Sequence, residues 1–304
     1  MNTSILFGNG FNRAVKSTIS WDGLLKKLMR GNKFDYEELP NTMTYERIFL
    51  ERRDKAEELK LKNEISEMLA STPGNELYIE LEKIGCSNYL TTNYDYAFEE
   101  SIGMLAVPRS TEEVYSIRRF REFYRKEQTV RLWSLHGEIL HPKSIMLGLD
   151  HYCGSIGKLD SYIKGNYTIQ KDGKLHHVQK MEEKIKNGSY CHSSWVDLFF
   201  SSDLHIIGLS LDYSETDLWW VLNKRARLSQ TAPLKNKIYF HSTSEKPSKI
   251  HLLQSFGVEI RHHKVKDNDY IGAYRIALQT IREISKPTQS RRVSNSSFKA
   301  ELPA

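Results

Sequence analysis

Two segments of the chain carry side chains that could move protons or position a substrate. Residues 134–138, SLHGE, place His136 directly after an alternating apolar stretch, and an imidazole exchanges protons near neutral pH. Residues 91–95, TTNYD, place a hydroxyl, an amide and a carboxylate after another apolar stretch. Each segment also has a structural interpretation, because single histidines are more often structural and Asn93 or Asp95 could cap a helix. Considered one at a time, neither segment decides the function.

Three further segments could hold phosphate or sugar groups. Residues 8–12, GNGFN, have two glycines that would let the backbone approach a phosphate at the start of a helix. The third glycine of the dinucleotide-binding fingerprint is missing, so a plain tight turn is an equal alternative. Residues 208–212, GLSLD, repeat the glycine and add the hydroxyl of Ser210. Residues 241–245, HSTSE, could contact a ribose or an adenine edge, and ordinary loops are the alternative for both.

The elements that must position these segments alternate between strands and helices. Apolar runs predict strands over residues 5–7, 88–92, 129–135, 144–147, 204–208, 237–241 and 258–261. Apolar periodicity predicts helices from residues 12 and 21 and over residues 55–69, 195–200, 214–224, 248–255 and 270–284. In the helix over residues 55–69 the apolar set is Leu59, Leu61, Ile65 and Leu69. Strands that are apolar along their whole length are typical of a parallel sheet with helices on both faces.

We therefore predict an α/β fold, a Rossmann-like doubly wound parallel sheet within one domain that spans residues 1–285. Residues 150–189 are polar and mostly helical, and we expect them to form an inserted helical subdomain. Residues 286–304 are expected to form a flexible basic tail. Because ligands bind outside the carboxyl ends of parallel strands, we expect the five segments to meet at one edge of the sheet.

The composition excludes several classes of protein. The chain has 304 residues, of which 39% are hydrophobic and 27% charged, as is typical of a globular protein. The formal charge is +6, but half of it lies in the tail, so direct nucleic-acid binding is not expected. No apolar run is long enough for a transmembrane helix, and the N-terminus lacks the basic start of a secretory signal.

Cysteines and histidines show no pattern typical of a metal site. The chain has three cysteines without a Cys-x-x-Cys pair, which excludes a disulfide scaffold and a four-cysteine zinc site. We expect a reduced, cytoplasmic protein with no bound metal. The histidines other than His136 have no comparable context, and residues 176–177 and 262–263 lie in charged stretches typical of a surface.

The order of these motifs resembles the sirtuin-type NAD-binding fold over about residues 4–265. The shared pattern is a Gly-x-Gly turn, a Thr-x-Asn-x-Asp loop, a Leu-His-Gly loop and a late Gly-x-Ser loop. Three phrases resemble one branch more closely, the sirtuin-like NAD hydrolase family of bacterial antiphage defence systems. These are WDGLL at residues 21–25, IMLGLDHY at residues 145–152 and IIGLSL at residues 206–211.

The resemblance implies hydrolysis of NAD to nicotinamide and ADP-ribose. It makes His136 the general base, assigns Asn93 to the ribose hydroxyls and the attacking water, and assigns Asp95 to the nicotinamide carboxamide. Phe11 is expected to cover the nicotinamide side. The pyrophosphate is assigned to Gly8, Asn9, Gly10 and Ser210, and the remaining NAD contacts to Asn12, Thr92, Gly208 and His241.

Departures from the sirtuin pattern favour hydrolysis over protein deacylation. The zinc module with two Cys-x-x-Cys pairs is missing, residues 12–15, NRAV, replace the Pro-Asp-Phe-Arg stretch, and Thr92 replaces a glutamine. The alternatives are a non-catalytic sensor that binds NAD or ADP-ribose and a deacylase on the same fold.

The resemblance also implies restraint of the activity, since uncontrolled loss of NAD would kill the cell. The expected role is an effector of abortive infection that depletes NAD. The expected partners are further copies of the chain in a homo-oligomer and a separate regulatory or sensor protein, such as an ATPase, an Argonaute or a nucleotide-sensing protein.

Overall fold

The computed structural model of the chain describes residues 2–14, 18–29, 34–36, 38–52, 55–105, 107–109, 114–125, 127–171, 173–243 and 246–285. The tail predicted over residues 286–304 and two residues of the HSTSE segment lie outside this part of the chain.

Ten strands are present in the described residues. They are β1 (Thr3–Phe7), β2 (Asn88–Thr91), β3 (Val107–Arg109), β4 (Phe120–Arg125), β5 (Gln128–Ser134), β6 (Thr168–Lys171), β7 (Lys174–His177), β8 (Asp203–Ile207), β9 (Ile238–Ser242) and β10 (Val258–His262).

The helices of the same residues are α1 (Gly10–Arg13), α2 (Trp21–Leu28), α3 (Asn41–Arg52), α4 (Lys55–Leu69), α5 (Glu76–Glu82), α6 (Ala97–Ile102), α7 (Leu149–Lys164), α8 (Met181–Asn187), α9 (Leu198–Ser201), α10 (Thr216–Leu228), α11 (Pro247–Ser255) and α12 (Tyr270–Ser285). Two short 3-10 turns cover Pro142–Ser144 and Trp195–Asp197.

Eight of the strands form one sheet in the order β10-β9-β8-β1-β2-β5-β4-β3. The pairs from β10 to β5 are all parallel, and β4 and β3 extend the sheet antiparallel at one edge. Because β1 lies at the centre and the chain crosses over on either side of it, the sheet is doubly wound. The predicted Rossmann-like α/β fold is confirmed.

The apolar strands bury both of their faces, as their sequences predict. In β1, Leu6 faces one hydrophobic cluster, while Ile5 and Phe7 face the cluster on the opposite side of the sheet. Helix α10 covers the first side and α12 the second, each with a buried apolar stripe. A third cluster joins α2, α3 and α4. This layered burial fixes the carboxyl ends of β1, β2, β5, β8 and β9 at one edge.

The polar segment over residues 150–189 is only partly helical. Helix α7 and helix α8 flank a hairpin of β6 and β7 that the sequence did not predict, since its strands carry mostly charged and polar residues. Buried side chains of the segment, including Leu159, Tyr162 and Met181, join the cluster on the first face of the sheet. The segment therefore packs as part of the main domain.

Three local expectations are wrong, and some elements of the fold were not predicted. Residues 144–147 form a turn and an extended stretch without strand pairing, because the Ile145 N–H donates to the Pro142 carbonyl and the Met146 N–H to the His136 carbonyl. Leu59 is 40% exposed, so it does not belong to the apolar face of α4. Helices α3 and α5 and strand β4 were not predicted, since short or charge-rich elements carry a weak periodic signal. His263 is buried, for reasons given below.

A candidate active site at the carboxyl edge of the sheet

A cavity of about 480 Å³ opens at the carboxyl ends of the central strands. Its volume lies within the range of ordinary small-molecule sites. Nine of the residues singled out from the sequence line it: Asn9, Gly10, Thr92, Asn93, Asp95, His136, Gly208, Ser210 and His241. The tertiary structure thus brings residues of five separate segments to one site. The cavity wall is completed by α2, α3 and α12, which supply residues such as Trp21, Thr42 and Tyr274.

The glycine turn after β1 packs directly on the loop after β8. A Cβ on Gly10 would clash with the hydroxyl of Tyr274 and the backbone of Gly208, and a Cβ on Gly8 would clash with Leu209. The Gly10 N–H donates to the Gly208 carbonyl at 2.8 Å. The glycines are therefore required by this close approach of two loops, and the Gly10 N–H already has a partner within the protein.

Three residues of the turn, Gly8, Phe11 and Asn12, do not line the cavity. The ring of Phe11 stacks between Tyr78 and Tyr274, with centroid distances of 5.4 Å and 5.1 Å, and is completely buried. This position differs from the expected cover over nicotinamide, since the ring packs in the core beneath the turn. Asn12 is also buried and binds Asp95.

His136 forms a buried pair with an aspartate that the sequence did not reveal. Its Nε2 lies 3.1 Å from Oδ2 of Asp217, in the first turn of α10, and its Nδ1 lies 3.5 Å from the Tyr152 hydroxyl. A carboxylate only accepts hydrogen bonds, so in the neutral imidazole Nε2 carries the proton and Nδ1 holds the lone pair. Burial lowers the pKa of His136, but the charge and hydrogen bond of Asp217 outweigh burial, and the pKa is raised.

Carboxylates dominate the charged groups around this pair. Asp95, Asp212 and Glu215 line the cavity together with one basic residue, Arg13. Burial of the carboxyl raises the pKa of Glu215 to about 7, helped by the nearby charges of Asp217 and Asp212. Burial also raises the pKa of Asp95 to about 6, against the hydrogen bonds it accepts from Ala97 and Asn12. The site therefore favours positive charge near His136.

His241 belongs to a chain of three buried histidines. Its Nε2 lies 3.0 Å from Nδ1 of His205, and its Nδ1 lies 2.9 Å from Nε2 of His263. Burial and the two neighbouring histidines lower the pKa of His241 to about 2, so its ring is neutral. Both ring nitrogens are engaged within this chain of histidines, and His241 also lines the cavity. The prediction that His263 is a surface residue is wrong because this chain buries it.

Replacing Asp217 with asparagine is expected to destabilise the protein more at about pH 6 than at about pH 9. The pKa of folded His136 lies above the ordinary value of 6.5. The stabilisation is therefore complete below that value and is lost as the pH rises through the folded pKa. Asparagine keeps the shape of the side chain without its charge. Urea titrations at the two pH values measure the difference, and an equal loss at both would contradict a charged pair.

The described residues contain no group of three or more His, Cys, Asp or Glu side chains that could hold a metal ion. Cys86, Cys153 and Cys191 are all free thiols. In the same part of the chain, no helix combines the length and the apolar character that crossing a bilayer requires.

A known protein family is similar to the part of the chain that carries the central residues of this site. The family model for the SIR2-like domain matches residues 87–181. The matched stretch contains β2 with Asn93 and Asp95, β5 with His136, and helix α7, whereas both glycine loops lie outside it. None of the curated proteins matches the chain. The chain is thus similar to the SIR2-like domain family across the residues that carry the histidine and the asparagine, and this similarity supports an NAD-related function of the sirtuin type.

Proposed function

We propose that the protein hydrolyses NAD to nicotinamide and ADP-ribose. The observation that carries this proposal is a juxtaposition. His136, Asn93 and Asp95, which lie within the SIR2-like match, line the same cavity as Asn9, Gly10 and Ser210, which lie outside it. One cavity thus combines groups suited to a reacting ribose with loops suited to the rest of a dinucleotide.

The chemistry of the bond explains why such a lining would suit NAD. The N-glycosidic bond of NAD carries a positively charged leaving group, and its cleavage passes through an oxocarbenium-like transition state. Nicotinamide leaves as a neutral molecule, so no acid is needed. When ionised, Asp95 and Glu215 would stabilise positive charge that develops on the ribose. Nδ1 of His136, with its lone pair, would take the proton of the attacking water.

The remaining cavity residues suit the other parts of NAD. Asn93 would hold the ribose hydroxyls and the water, and Asp95 can still accept from the carboxamide because each carboxylate oxygen has a second lone pair. Arg13, Asn9 and the hydroxyl of Ser210 would hold the pyrophosphate. His241 would pack its neutral ring against the adenosine part.

In the cell, we propose that this activity serves antiphage defence by depleting NAD in the cytoplasm. The protein would be held inactive until a partner or a homo-oligomer arranges the loops around Gly10 and His136. Such loops are drawn from the less stable parts of a fold, so an interface can shift their populations. An ATPase, an Argonaute or a nucleotide-sensing protein would be a suitable partner.

Incubating the purified chain with NAD tests the activity and its control together. Nicotinamide and ADP-ribose are expected in equal amounts, with a rate per chain that is low in dilute protein and rises with protein concentration. A His136→Ala protein at each concentration serves as the blank. Tight NAD or ADP-ribose binding without product at any concentration would favour a non-catalytic sensor, and loss of NAD only with an acylated peptide would favour a deacylase. A full rate in dilute monomer would contradict control by assembly.

A further inference from the structure

A chain of four polar side chains runs from the carboxylate of Asp95 to the amide of Asn93 through the interior of the protein. Nδ2 of Asn12 donates to Oδ2 of Asp95 at 2.8 Å. The hydroxyl of Tyr78 donates to Oδ1 of Asn12 at 2.7 Å. Nδ2 of Asn93 donates to the hydroxyl oxygen of Tyr78 at 3.1 Å. Helix α1, helix α5 and the loop after β2 are joined in this way.

The chain has only one consistent direction when Asp95 is ionised. A carboxylate only accepts, so Asn12 must turn its NH₂ group to Asp95 and its carbonyl oxygen to Tyr78. The Tyr78 hydroxyl then donates its single proton to Asn12, so it can only accept a hydrogen bond from Asn93. Asn93 must therefore turn its NH₂ group inward. An amide has one oxygen and one nitrogen, so its Oδ1 is the atom left for the cavity.

Tyr78 is held firmly enough to impose this choice. Its ring is completely buried, packs edge-on against Phe7 and Phe98, and stacks on Phe11. The hydroxyl is directed at Asn12 and Asn93, which are themselves buried. In this water-poor interior an unpaired hydroxyl or amide is costly, so a flipped Asn93 amide is strongly disfavoured.

We propose that Tyr78 is a positioning residue that fixes the amide of Asn93 with its oxygen towards the cavity. The oxygen can then accept a hydrogen bond from a ribose hydroxyl or from the attacking water, which a flipped NH₂ group could not do. The inference about catalysis rests on the proposed NAD hydrolysis. The orientation of the amide itself does not, so the two are separable by experiment.

The test substitutes Tyr78 by phenylalanine, which keeps the buried ring and removes only the hydroxyl. The matched control is Tyr89→Phe, because Tyr89 is also completely buried in the same cluster but bonds the Cys86 N–H and backbone carbonyls at the other end of β2. With NAD as substrate, Tyr78→Phe is expected to lower kcat about tenfold with KM unchanged, since NAD still binds but the amide is no longer fixed. Tyr89→Phe is expected to leave both constants unchanged.

A second readout does not depend on activity. In ¹⁵N-labelled protein without NAD, the side-chain NH₂ signal of Asn93, identified by its loss in Asn93→Asp, is expected to exchange hydrogen slowly. Exchange should become at least tenfold faster in Tyr78→Phe but not in Tyr89→Phe. If circular dichroism shows that Tyr78→Phe is unfolded, Asn12→Ala replaces it. Loss of the Asn12 oxygen, which accepts from Tyr78, frees the Tyr78 hydroxyl to rotate. The same faster exchange is expected.

The outcomes separate this inference from the proposed function. Faster exchange with no nicotinamide release by the wild type at any protein concentration would reject NAD hydrolysis and retain the positioning of Asn93. Unchanged exchange in Tyr78→Phe would overturn the positioning role, whatever the activity. A rise in KM with kcat unchanged would also overturn it, because Tyr78 would then act in binding alone.

Discussion

Replacing His136 with alanine is expected to lower the rate of nicotinamide release by about 10²- to 10⁴-fold, the usual contribution of a general base. The pair with Asp217 orients the imidazole so that Nδ1 can take a proton, and alanine removes that acceptor. NAD binding, measured by calorimetry, should persist because most of the cavity lining is unchanged. Circular dichroism checks that the variant folds.

His141→Ala is the matched control for this experiment. His141 lies five residues later in the same loop, but its side chain is 52% exposed and does not line the cavity. Its loss should leave the rate unchanged. A wild-type rate in His136→Ala would remove His136 from the mechanism, and a variant that binds no NAD because it is unfolded would indicate a structural histidine.

The pH dependence of the wild type provides a second check on the base. Only the neutral imidazole accepts a proton, and the pKa of His136 is raised above 6.5. The rate should therefore increase as the pH rises above about pH 6.5, because the neutral fraction of His136 grows. A rate that falls over the same range would show that the protonated imidazole is the active form.

Replacing Asn93 with alanine is expected to lower kcat by about 10²-fold or more, the typical effect of removing one contact to a transition state. The amide would hold the ribose and the attacking water, while the pyrophosphate groups bind elsewhere in the cavity. NAD should therefore still bind to the inactive variant with similar affinity. Single-turnover release of nicotinamide and calorimetry measure the two effects separately.

Asn88→Ala is the control on the same strand. Asn88 begins β2, and its side-chain oxygen accepts a hydrogen bond from the indole of Trp133, away from the cavity. The variant should lose some stability, because that hydrogen bond is removed, but should keep kcat. An Asn93→Ala protein that keeps kcat but binds NAD much more weakly would contradict the proposed role, since Asn93 would then be a binding residue.

The central sheet was predictable from the sequence because its signal is local. A strand buried on both faces carries apolar side chains on both, and β1, β2, β8 and β9 each show adjacent apolar residues within four or five positions. The rule that ligands bind at the carboxyl ends of parallel strands then selects the loops after them. His136, Asn93 and Asp95 could be named in this way before their positions in space were known.

Elements with weak local signals could not be predicted. Helix α5 has seven residues, and the β6–β7 hairpin exposes most of its side chains, so neither shows a clear apolar period. Their places depend on what they pack against. For α5 this bears on the proposed positioning of Asn93, because the helix places Tyr78 in hydrogen-bond contact with Asn12 and Asn93.

The sequence by itself determined the fold class and the loops of the candidate site, because hydrophobic periodicity and turn residues act between neighbours in the chain. Only the tertiary structure decided the partner of each polar group. Asp217 reaches His136 across 81 residues, and Asn12 reaches Asp95 across 83. His263 looks like a surface residue among its charged neighbours and is buried against His241. Hydrogen bonds act over about 3 Å in space, and separation along the chain carries no information about them.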